Sequence, residues 1–494
     1  MCGPDRLTAV QDARSYLTSY TYDELSWLRA VFYPAGKAIT YTCDAAGNRS
    51  VLVDPDADRV TYSYDSRNHL EWLVNRHDER TTYVYDGVGR VTTMTHGNGT
   101  IAETDYDDAG RIEAVRNLKS DGSTVLSIFT YSYDDSGNRT GVAEANGDRV
   151  TWSYDGINQL TQEARSGANA YGLEYTYDAV GNRLTQFNGA ATVSYSYDVA
   201  NQLTLEENPS ARITYSYDAN GNTEVMNAAG SLTTYSWDVE NHMTGVELAD
   251  ATLNTITYDG DGKRRQYEDG AGLRKFIWDG ENILLQTDSG GTTNRDYTYN
   301  PQGYGHLISQ SNLFHHYDAL GSTMQLTDET QGAVVSYLYR AFGEQTVLSG
   351  SSANRFTWVG RLGYYRQPDT SDYWVRARIY RPTIGRWVSR DPFALSHYLG
   401  LPDYGYVRNR PCLLSDPSGE LAWYAVAGAI IAAIAVYQGF RCLKALWSLM
   451  RRQKELAETY PADTTQEAFC ILSRTPEWQD AMDRCPNLLV GQYT

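Results

Sequence analysis

One short word recurs along most of this chain and constrains its fold more than any other feature. The word is Tyr-x-Tyr-Asp, or a close variant, followed by two free positions and then Gly or Asn, as in EYTYDAVGNRLTQ at Glu174–Gln186. We call its fourth residue the marker; it is Asp except at Asn300, and it lies at positions 23, 44, 65, 86, 107, 134, 155, 178, 198, 218, 238, 259, 279, 300 and 318. A nearly constant period of this length is typical of a repeat architecture.

The third residue after each marker indicates a tight turn. Ser26 is the exception to a rule that otherwise gives Gly at 47, 89, 110, 137, 181, 221, 262, 303 and 321, and Asn at 68, 158, 201, 241 and 282. Gly and Asn tolerate positive φ, which a four-residue hairpin loop built on a type I turn requires at its end. The marker carboxylate can accept hydrogen bonds from the backbone of the same turn. Each repeat is therefore predicted to be a strand, a turn and a return strand.

The residues that flank the markers favour β-strands. Tyr175 and Tyr177 lie on one face of the predicted strand and Thr176 on the other, and aromatic and β-branched residues are common in strands. Hairpins that repeat side by side predict an all-β protein with one long antiparallel sheet, which must coil because strands twist. The faces carry Tyr, Thr, Ser and Gln rather than Leu and Ile. We therefore expect a partly hydrated sheet that surrounds an interior space and does not close on a dense apolar core.

Composition excludes some classes of function. The chain has 494 residues and a net charge of -19, which argues against nucleic-acid binding by the repeats, because phosphate binding needs basic surfaces. Six scattered cysteines are too few for a disulfide scaffold. The start, MCGPDRLTAVQDARS, has no apolar segment of the kind found in signal peptides. We therefore expect a secreted or cell-surface protein whose export uses another route, or a fragment whose beginning is missing.

Two ligand interpretations of the repeats are weaker than the structural one. Calcium-binding β-helices have a period of nine, and in the EF-hand-like stretch at 259–269 Lys263 occupies a ligand position while Arg264 replaces the required Gly. No metal or cofactor is therefore predicted. The tyrosine-rich face could bind sugars, but stacking along the sheet is the favoured role.

Tyr-Asp repeats with Gly-Asn-Arg turns resemble the YD repeats of the RHS family, which includes bacterial Rhs toxins, the C subunits of insecticidal Tc toxins and animal teneurins. The resemblance covers about Tyr20–Gly419, and the family's core domain is matched in three segments: His315–Glu344, Tyr373–Pro392 and Tyr404–Leu421. It divides the chain into YD repeats (1–310), an RHS-associated core domain (311–419) and a variable tail (420–494). It also implies a hollow shell of spiralling sheet.

The resemblance further implies self-cleavage by an aspartyl-protease-like pair of carboxylates, just after a DPxGL-type motif. The matching residues are Asp391 in SRDP, Asp416 in SDPSG and Arg378 in RARIY. When two carboxylates share a site, one holds a proton and acts as an acid while the other activates water. The alternative is structural: Asp-Pro and Asp-Pro-Ser-Gly start turns in many proteins.

Two departures from the family pattern affect the expected bond. The motif reads DPSGEL, with Glu420 at the usual scissile position, and Arg381 replaces a common Asp in IYRP. Leu421–Ala422 is the bond predicted to be cut, and Glu420–Leu421 is the second choice.

After Gly419 the repeats stop and an apolar run, Leu421–Phe440, carries no charge. Its length is enough for a transmembrane helix, and aromatic residues flank it as they do at membrane interfaces. A helix buried within the shell, or the inhibited apolar part of a small toxin, remains the alternative. The rest of the tail is predicted to form short helices, and Cys470 and Cys485 could pair if oxidised.

These observations support two functions of different classes. The first is a β-shell that encloses or displays its own C-terminal segment as cargo and cleaves itself, in bacterial competition or host interaction. The alternative is a surface adhesion scaffold that is not cleaved, binds carbohydrate or a cell-surface protein, and is anchored in the membrane through 421–440. A truncated remnant is a third interpretation.

Overall fold

The computed structural model describes residues 7–12, 14–301, 303–392 and 403–420. Of these, 7–390 and 404–419 belong to one compact unit, and 391, 392, 403 and 420 belong to another. The first unit contains a sheet of 33 strands and a small sheet of four. The all-β prediction is confirmed. The predicted helical tail lies outside the described residues.

The large sheet is an antiparallel meander, in which every strand pairs with the strands before and after it in sequence. Its first eleven strands are β1 (Ala9–Gln11), β2 (Leu17–Tyr22), β3 (Leu28–Phe32), β4 (Ala38–Cys43), β5 (Arg49–Val53), β6 (Arg59–Tyr64), β7 (Leu70–Val74), β8 (Arg80–Tyr85), β9 (Val91–Thr95), β10 (Ile101–Tyr106) and β11 (Ile112–Leu118). The next eleven are β12 (Val125–Tyr133), β13 (Arg139–Glu144), β14 (Arg149–Tyr154), β15 (Leu160–Ser166), β16 (Tyr171–Tyr177), β17 (Arg183–Phe187), β18 (Thr192–Tyr197), β19 (Leu203–Asn208), β20 (Ala211–Tyr217), β21 (Thr223–Ala228) and β22 (Ser231–Trp237). The last eleven are β23 (Met243–Glu247), β24 (Leu253–Tyr258), β25 (Arg264–Asp269), β26 (Gly272–Asp279), β27 (Asn282–Thr287), β28 (Thr293–Tyr299), β29 (Leu307–Gln310), β30 (Leu313–Tyr317), β31 (Thr323–Thr327), β32 (Ala333–Tyr339) and β33 (Gln345–Gly350).

The small sheet follows the large one along the chain. It consists of short antiparallel strands: β34 (Tyr365–Arg366), β35 (Tyr373–Val375), β36 (Arg378–Arg381) and β37 (Arg386–Trp387). Within the described residues, single-turn 3₁₀ segments lie at Pro34–Gly36, Gly360–Leu362 and Val407–Asn409. Among the described residues, no helix is long and apolar enough to cross a membrane. The apolar segment 421–440 lies outside them.

The marker turns have the predicted geometry. In the turn at Asp44, the Gly47 N–H donates to the Asp44 carbonyl at 3.1 Å, and the Asp44 N–H donates to the Asn48 carbonyl at 2.8 Å. The Asp44 Oδ1 atom accepts from the backbone N–H groups of Ala46 and Asn48, both at 2.9 Å. The marker carboxylate therefore caps its own turn, and a one-residue register shift just before the marker gives each hairpin a bulge.

The third residue after the marker takes positive φ in nearly every repeat. This holds at residues 26, 47, 68, 89, 110, 137, 158, 181, 201, 221, 241, 262, 303 and 321. Ser26, which breaks the sequence rule, adopts the same conformation with φ 70°. Asn282 is the structural exception, because Asp279 and Asn282 pair directly and Gly280, with φ 55°, takes the positive value. The prediction for Asn282 is therefore wrong, since a two-residue turn needs the glycine one position after the marker.

The tyrosine just before most of the markers joins one hairpin to the previous one. Its hydroxyl donates to a backbone carbonyl of the preceding repeat, as from Tyr64 to Arg49 at 3.0 Å and from Tyr85 to Leu70 at 2.8 Å. Where Trp replaces it, at Trp278, the indole Nε1–H donates in the same way at 2.9 Å. This bond explains why the chain uses 40 Tyr and only 10 Phe.

The tyrosine two positions earlier is buried together with aliphatic residues of the return strands. Tyr62 and Tyr83 are each 7% exposed, and Leu52 and Leu73 beside them are almost fully buried. This face is drier than the sequence predicted, because one Leu or Val per return strand is enough to fill the space between the tyrosine rings.

The large sheet coils so that distant repeats touch. The Tyr83 hydroxyl donates to the Asn300 side chain at 2.6 Å, and the Glu163 carboxylate accepts from the Ala341 N–H at 2.9 and 3.0 Å. These partners are 217 and 178 residues apart in sequence. The coil brings the early repeats against the strands that precede the small sheet.

Candidate functional site

Asp416, one of the three predicted catalytic residues, lies in a sealed polar site. Its side chain is fully buried. Its Oδ1 atom accepts from the Ser418 hydroxyl at 2.9 Å and from the Gly419 N–H at 3.0 Å. Its Oδ2 atom lies 3.4 Å from Nη2 of Arg378. The carboxylate thus caps the Asp-Pro-Ser-Gly turn with one oxygen and faces a guanidinium with the other.

Arg378, the predicted arginine, begins β36 and joins Asp416 to the end of the same segment. Besides its contact with Asp416, its Nε–H donates to the Gly419 carbonyl. The guanidinium stacks over the Trp387 ring with its central carbon 4.2 Å from the ring centre. Its side chain is 3% exposed. The structure therefore brings Asp416 and Arg378 together.

The turn between β35 and β36 binds the backbone of the Asp416–Gly419 segment. The Ala377 N–H donates to the Ser418 carbonyl at 3.2 Å, and Nη1 of Arg376 donates to the Pro417 carbonyl. With the bond from Arg378 to Gly419, three consecutive carbonyls, those of residues 417, 418 and 419, each accept a hydrogen bond from residues 376–378. We call this turn, Val375–Arg378, the clamp.

Gly419 is required by the clamp. Its φ is 71°, and a Cβ atom there would overlap the Val375 carbonyl oxygen and lie 3.0 Å from the Arg378 nitrogen. Any larger residue would therefore separate the segment from the clamp. This close approach explains why the motif has glycine at this position.

Two buried tyrosines support the other side of the segment. The Tyr364 hydroxyl accepts from the Asp416 N–H at 2.8 Å and lies 2.9 Å from the Asp416 carbonyl. The Tyr406 hydroxyl is 2.9 Å from that of Tyr364. Burial raises the pKa of the Tyr364 hydroxyl, so it stays protonated over the ordinary pH range. The peptide that carries the Asp416 side chain is thus fixed from both ends.

Asp391 belongs to the second compact unit. Its backbone N–H donates to the Asp403 carbonyl at 2.9 Å, and the residue is half-buried. Asp403 is 9% exposed. Glu420 is exposed, while Leu421 and Ala422, the bond predicted to be cut, lie outside the described residues.

The departure at Arg381 has a structural explanation. Its guanidinium donates to both oxygens of the Asp372 carboxylate, at 3.1 and 2.9 Å, and to the Tyr235 hydroxyl at 2.6 Å. Both charged side chains are nearly fully buried. Arg381 therefore completes an ion pair within the small sheet and does not touch the Asp416 segment.

Among the described residues, one group of acidic side chains has the proximity of metal ligands: Asp54, Asp56 and Asp58. All three pair with Arg76, at 3.0 Å for Asp54 and 3.3 Å for Asp56, and also directly at Asp58. The Arg76 guanidinium thus supplies the positive charge that these three carboxylates face.

The sequence did not predict the roles of Arg376 and Tyr364 in the site. It also did not predict the close contact of Gly419 with the clamp. It also gave no role to the arginine of the Gly-Asn-Arg turns. Arg49 and Arg183 stack over the tyrosines at 41 and 175, with 4.5 and 4.7 Å between guanidinium carbon and ring centre. The repeated spacing of Arg and Tyr was the signal that could have predicted this stacking.

Comparison with known proteins agrees with this fold. The family model described as Teneurin YD-shell matches residues 48–163, and the RHS Repeat model matches 217–253. Over 133 residues the chain is 32% identical to a tRNA(Glu)-specific nuclease WapA of Bacillus subtilis subsp. natto, covering 26% of this chain and 6% of that protein. Over 128 residues it is 34% identical to toxin protein Tse5 of Pseudomonas aeruginosa, covering 25% of this chain and 9% of that protein. The matches thus span less than a tenth of either relative.

Solved structures share the fold over most of the chain. A Photorhabdus luminescens Tc holotoxin pore superimposes with a TM-score of 0.58 at 18% identity, covering 82% of this chain and 22% of that one. A crystal structure of TcdB2-TccC3 gives a TM-score of 0.57 at 18% identity, covering 83% and 24%. The coiled meander of marker hairpins thus defines a YD-shell fold. The chain carries repeats of the Teneurin YD-shell and RHS Repeat models at residues 48–163 and 217–253, and about a quarter of it is similar in sequence to the bacterial proteins WapA and Tse5.

Proposed function

We propose that this protein is a YD-repeat β-shell that encloses or displays its own C-terminal segment as an effector and cuts that segment from the shell by intramolecular hydrolysis. The shell fold and the toxin relatives support the first part of the proposal. The buried Asp416–Arg378 site supports the second part. The setting is bacterial competition or host interaction, with the protein secreted or on the cell surface.

In the proposed reaction, Asp391 and Asp416 act as the carboxylate pair on one peptide bond. One carboxylate takes a proton from water as the water oxygen attacks the carbonyl carbon. The carbon–nitrogen bond then breaks, and the other carboxyl group gives its proton to the leaving amine. Such a pair works because only one member is easily ionised when two carboxylates share a site.

One observation carries this proposal. Arg378 contacts both the Asp416 carboxylate and the Gly419 carbonyl, two residues before the proposed cut at Leu421–Ala422. A turn-capping Asp needs only the bonds from Ser418 and Gly419. A buried guanidinium that also holds the chain leading to the cut is what a fixed cleavage geometry requires.

Intact-mass analysis of the purified full chain tests the proposal. We expect two fragments, one ending at Leu421 and one beginning at Ala422, whose masses sum to the 55.4 kDa chain plus one water. Asp391→Asn and Asp416→Asn should each leave the chain intact. Asp178→Asn, a matched change at a marker turn, should be cut like the unaltered protein.

An unaltered chain that stays intact would overturn self-cleavage. If that intact chain also sediments with lipid vesicles, the alternative of an anchored surface scaffold takes its place. Cleavage that persists in Asp416→Asn would instead assign the reaction to other residues or to a contaminating protease.

A further inference from the structure

Arg376 joins three separate parts of the chain at one guanidinium. Its Nε–H donates to the Glu281 carbonyl at 3.0 Å, and its Nη1 donates both to the Leu362 carbonyl at 3.0 Å and to the Pro417 carbonyl. Glu281 lies in the turn between β26 and β27, whereas Leu362 lies in a 3₁₀ segment before the small sheet. Neither fold prediction nor the proposed chemistry assigns this residue a role.

The local backbone is unusual around this side chain. Arg376 itself has φ 45°, in the left-handed region that few side chains favour. Gly363 approaches so closely that a Cβ atom on it would lie 2.7 Å from Nη2 of Arg376. Burial lowers the pKa of the guanidinium from its usual range, against the raising effect of the Glu281 carboxylate, which lies 3.9 Å from Nε. The chain thus accepts strain and desolvation to keep one arginine among three carbonyls.

The hairpin that Arg376 contacts is itself held by the early repeats. The Tyr41 hydroxyl donates to the Asp279 carboxylate at 2.8 Å, and Nη2 of Arg49 donates to it at 3.0 Å. These partners are 238 and 230 residues apart in sequence. The hairpin Asp279–Asn282 therefore makes these two contacts only when the sheet has coiled back on itself.

We infer that Arg376 is a positioning residue that makes self-cleavage conditional on closure of the coiled sheet. The contacts run from Tyr41 and Arg49 through the hairpin to Arg376, and from Arg376 to the Pro417 carbonyl beside Asp416. This inference rests on the proposed self-cleavage. It adds a regulation: an effector segment would stay attached until its shell has formed.

The physical reason is that the rate of hydrolysis is sensitive to small displacements of the reacting groups. A shift of about 1 Å in the segment that carries a reacting group can cost on the order of 100-fold in rate. Without Arg376, the Pro417 carbonyl loses its donor, and on the clamp side the segment keeps only the bonds from Ala377 and Arg378. The clamp would then no longer respond to the position of the hairpin.

The first test is the rate of cleavage during cell-free synthesis of the full chain. We expect Arg376→Gln to slow cleavage about 10- to 100-fold, with Arg376→Lys intermediate because its ammonium reaches fewer carbonyls. The matched control is Arg386→Gln, since Arg386 also joins the small sheet to a repeat, through the Asn182 side chain at 2.7 Å and the Asn201 carbonyl at 2.6 Å. Arg386 does not contact Asp416–Gly419, so the control should be cut at the normal rate.

A double-mutant cycle tests the link to the hairpin. Gly280 has φ 55° and Gly137 has φ 80°, and both have open space around the position of a Cβ atom. Gly280→Val strains the hairpin that Arg376 contacts, whereas Gly137→Val applies similar strain elsewhere. We expect Gly280→Val to slow cleavage in the unaltered background but to add nothing to Arg376→Gln, and Gly137→Val to have no effect in either.

Hydrogen exchange separates this inference from the proposed function. In an Asp391→Asn background, which should not be cut, Arg376→Gln should speed amide exchange across 416–419 while Arg386→Gln leaves it unchanged. If exchange there does not change, or if Arg376→Gln is cut at the normal rate, the inference is wrong and self-cleavage stands. If the unaltered chain is never cut, self-cleavage and its regulation both fall, whatever the exchange result.

Discussion

The large sheet (β1–β33) and the small-sheet segment (residues 354–390 and 404–419) are stabilised in different ways. In the large sheet the same contacts recur: most marker carboxylates cap their own turns, and most tyrosines just before a marker donate to a carbonyl of the previous hairpin. In the small-sheet segment each polar contact occurs once. Arg381 pairs with Asp372, and Arg378 pairs with Asp416, in surroundings that no repeat reproduces.

This difference teaches where single residues matter most. A repeat contacts mainly its neighbours, so the loss of one bond is local and many equivalent bonds remain. A buried ion pair that occurs once has no substitute, and the removal of one partner leaves a charge without a counter-charge. We therefore expect changes in the small-sheet segment to have the larger effects.

The largest effect should come from Asp372→Asn. This change leaves the Arg381 guanidinium, whose side chain is 7% exposed, without its carboxylate. We expect a loss of about 3–5 kcal/mol in the free energy of unfolding, measured by urea denaturation.

The control is an ion pair of the large sheet, Arg212 with Glu207, at 3.1 Å and with side chains 62% and 47% exposed. Arg212→Gln should leave the urea midpoint nearly unchanged, because exposed pairs are screened by water. Similar losses in the two variants would contradict the contrast between the two regions.

The same contrast decides how much could be predicted from sequence. The marker hairpins were predictable because the period, the Asp and the Gly or Asn at each turn all indicate the same local geometry. Asn282 was missed because a turn one residue shorter shifts the positive φ to Gly280. The buried inner face was underestimated because a tyrosine can bury its ring and still direct its hydroxyl to a backbone carbonyl.

In the small-sheet segment only residue identities were predictable. Asp416 and Arg378 were chosen from motifs, and the structure brings them together. Arg376 and Tyr364 were not foreseen, because their partners are backbone carbonyls and amides, which leave no mark in the sequence. Contacts to the backbone across a long stretch of chain depend on tertiary structure alone.

A second prediction concerns Glu163, a buried acidic residue of the large sheet whose contacts are not repeated from one hairpin to the next. It is 1% exposed and accepts from the Ala341 N–H and, at 2.8 Å, from the Tyr171 hydroxyl. Burial raises the pKa of Glu163 to about 7, against the lowering effect of the Ala341 N–H. The folded protein therefore binds a proton that the unfolded chain releases at lower pH.

The sign of the pH dependence follows from the raised pKa. The contribution of Glu163 is fully present below the ordinary glutamate pKa and is lost as the pH rises through 7. Relative to Glu163→Gln, the unaltered protein should thus lose about 3 kcal/mol of stability between pH 4 and 8, measured as urea midpoints across that range. A constant difference would mean that Glu163 titrates normally and that the interior of the coil is wet at this point.

The smallest effects should come from single tyrosine hydroxyls, which compare the two regions with the same substitution. Tyr85 of the large sheet donates to the Leu70 carbonyl at 2.8 Å and is half-buried. Tyr380 of the small sheet donates to the Phe342 carbonyl at 2.8 Å and is fully buried. In Tyr85→Phe, water can replace the lost donor, so we expect a cost of about 0.5–1 kcal/mol in urea denaturation.

In Tyr380→Phe no water can reach the abandoned carbonyl, and the cost should rise to about 1–3 kcal/mol. Both variants keep the ring and therefore its packing, so the difference between them isolates the solvation of one carbonyl group. Equal costs would mean that the hydroxyl ladder of the repeats is as dry as the small sheet. The two regions would then differ in how often a contact recurs, and not in how much each contact contributes.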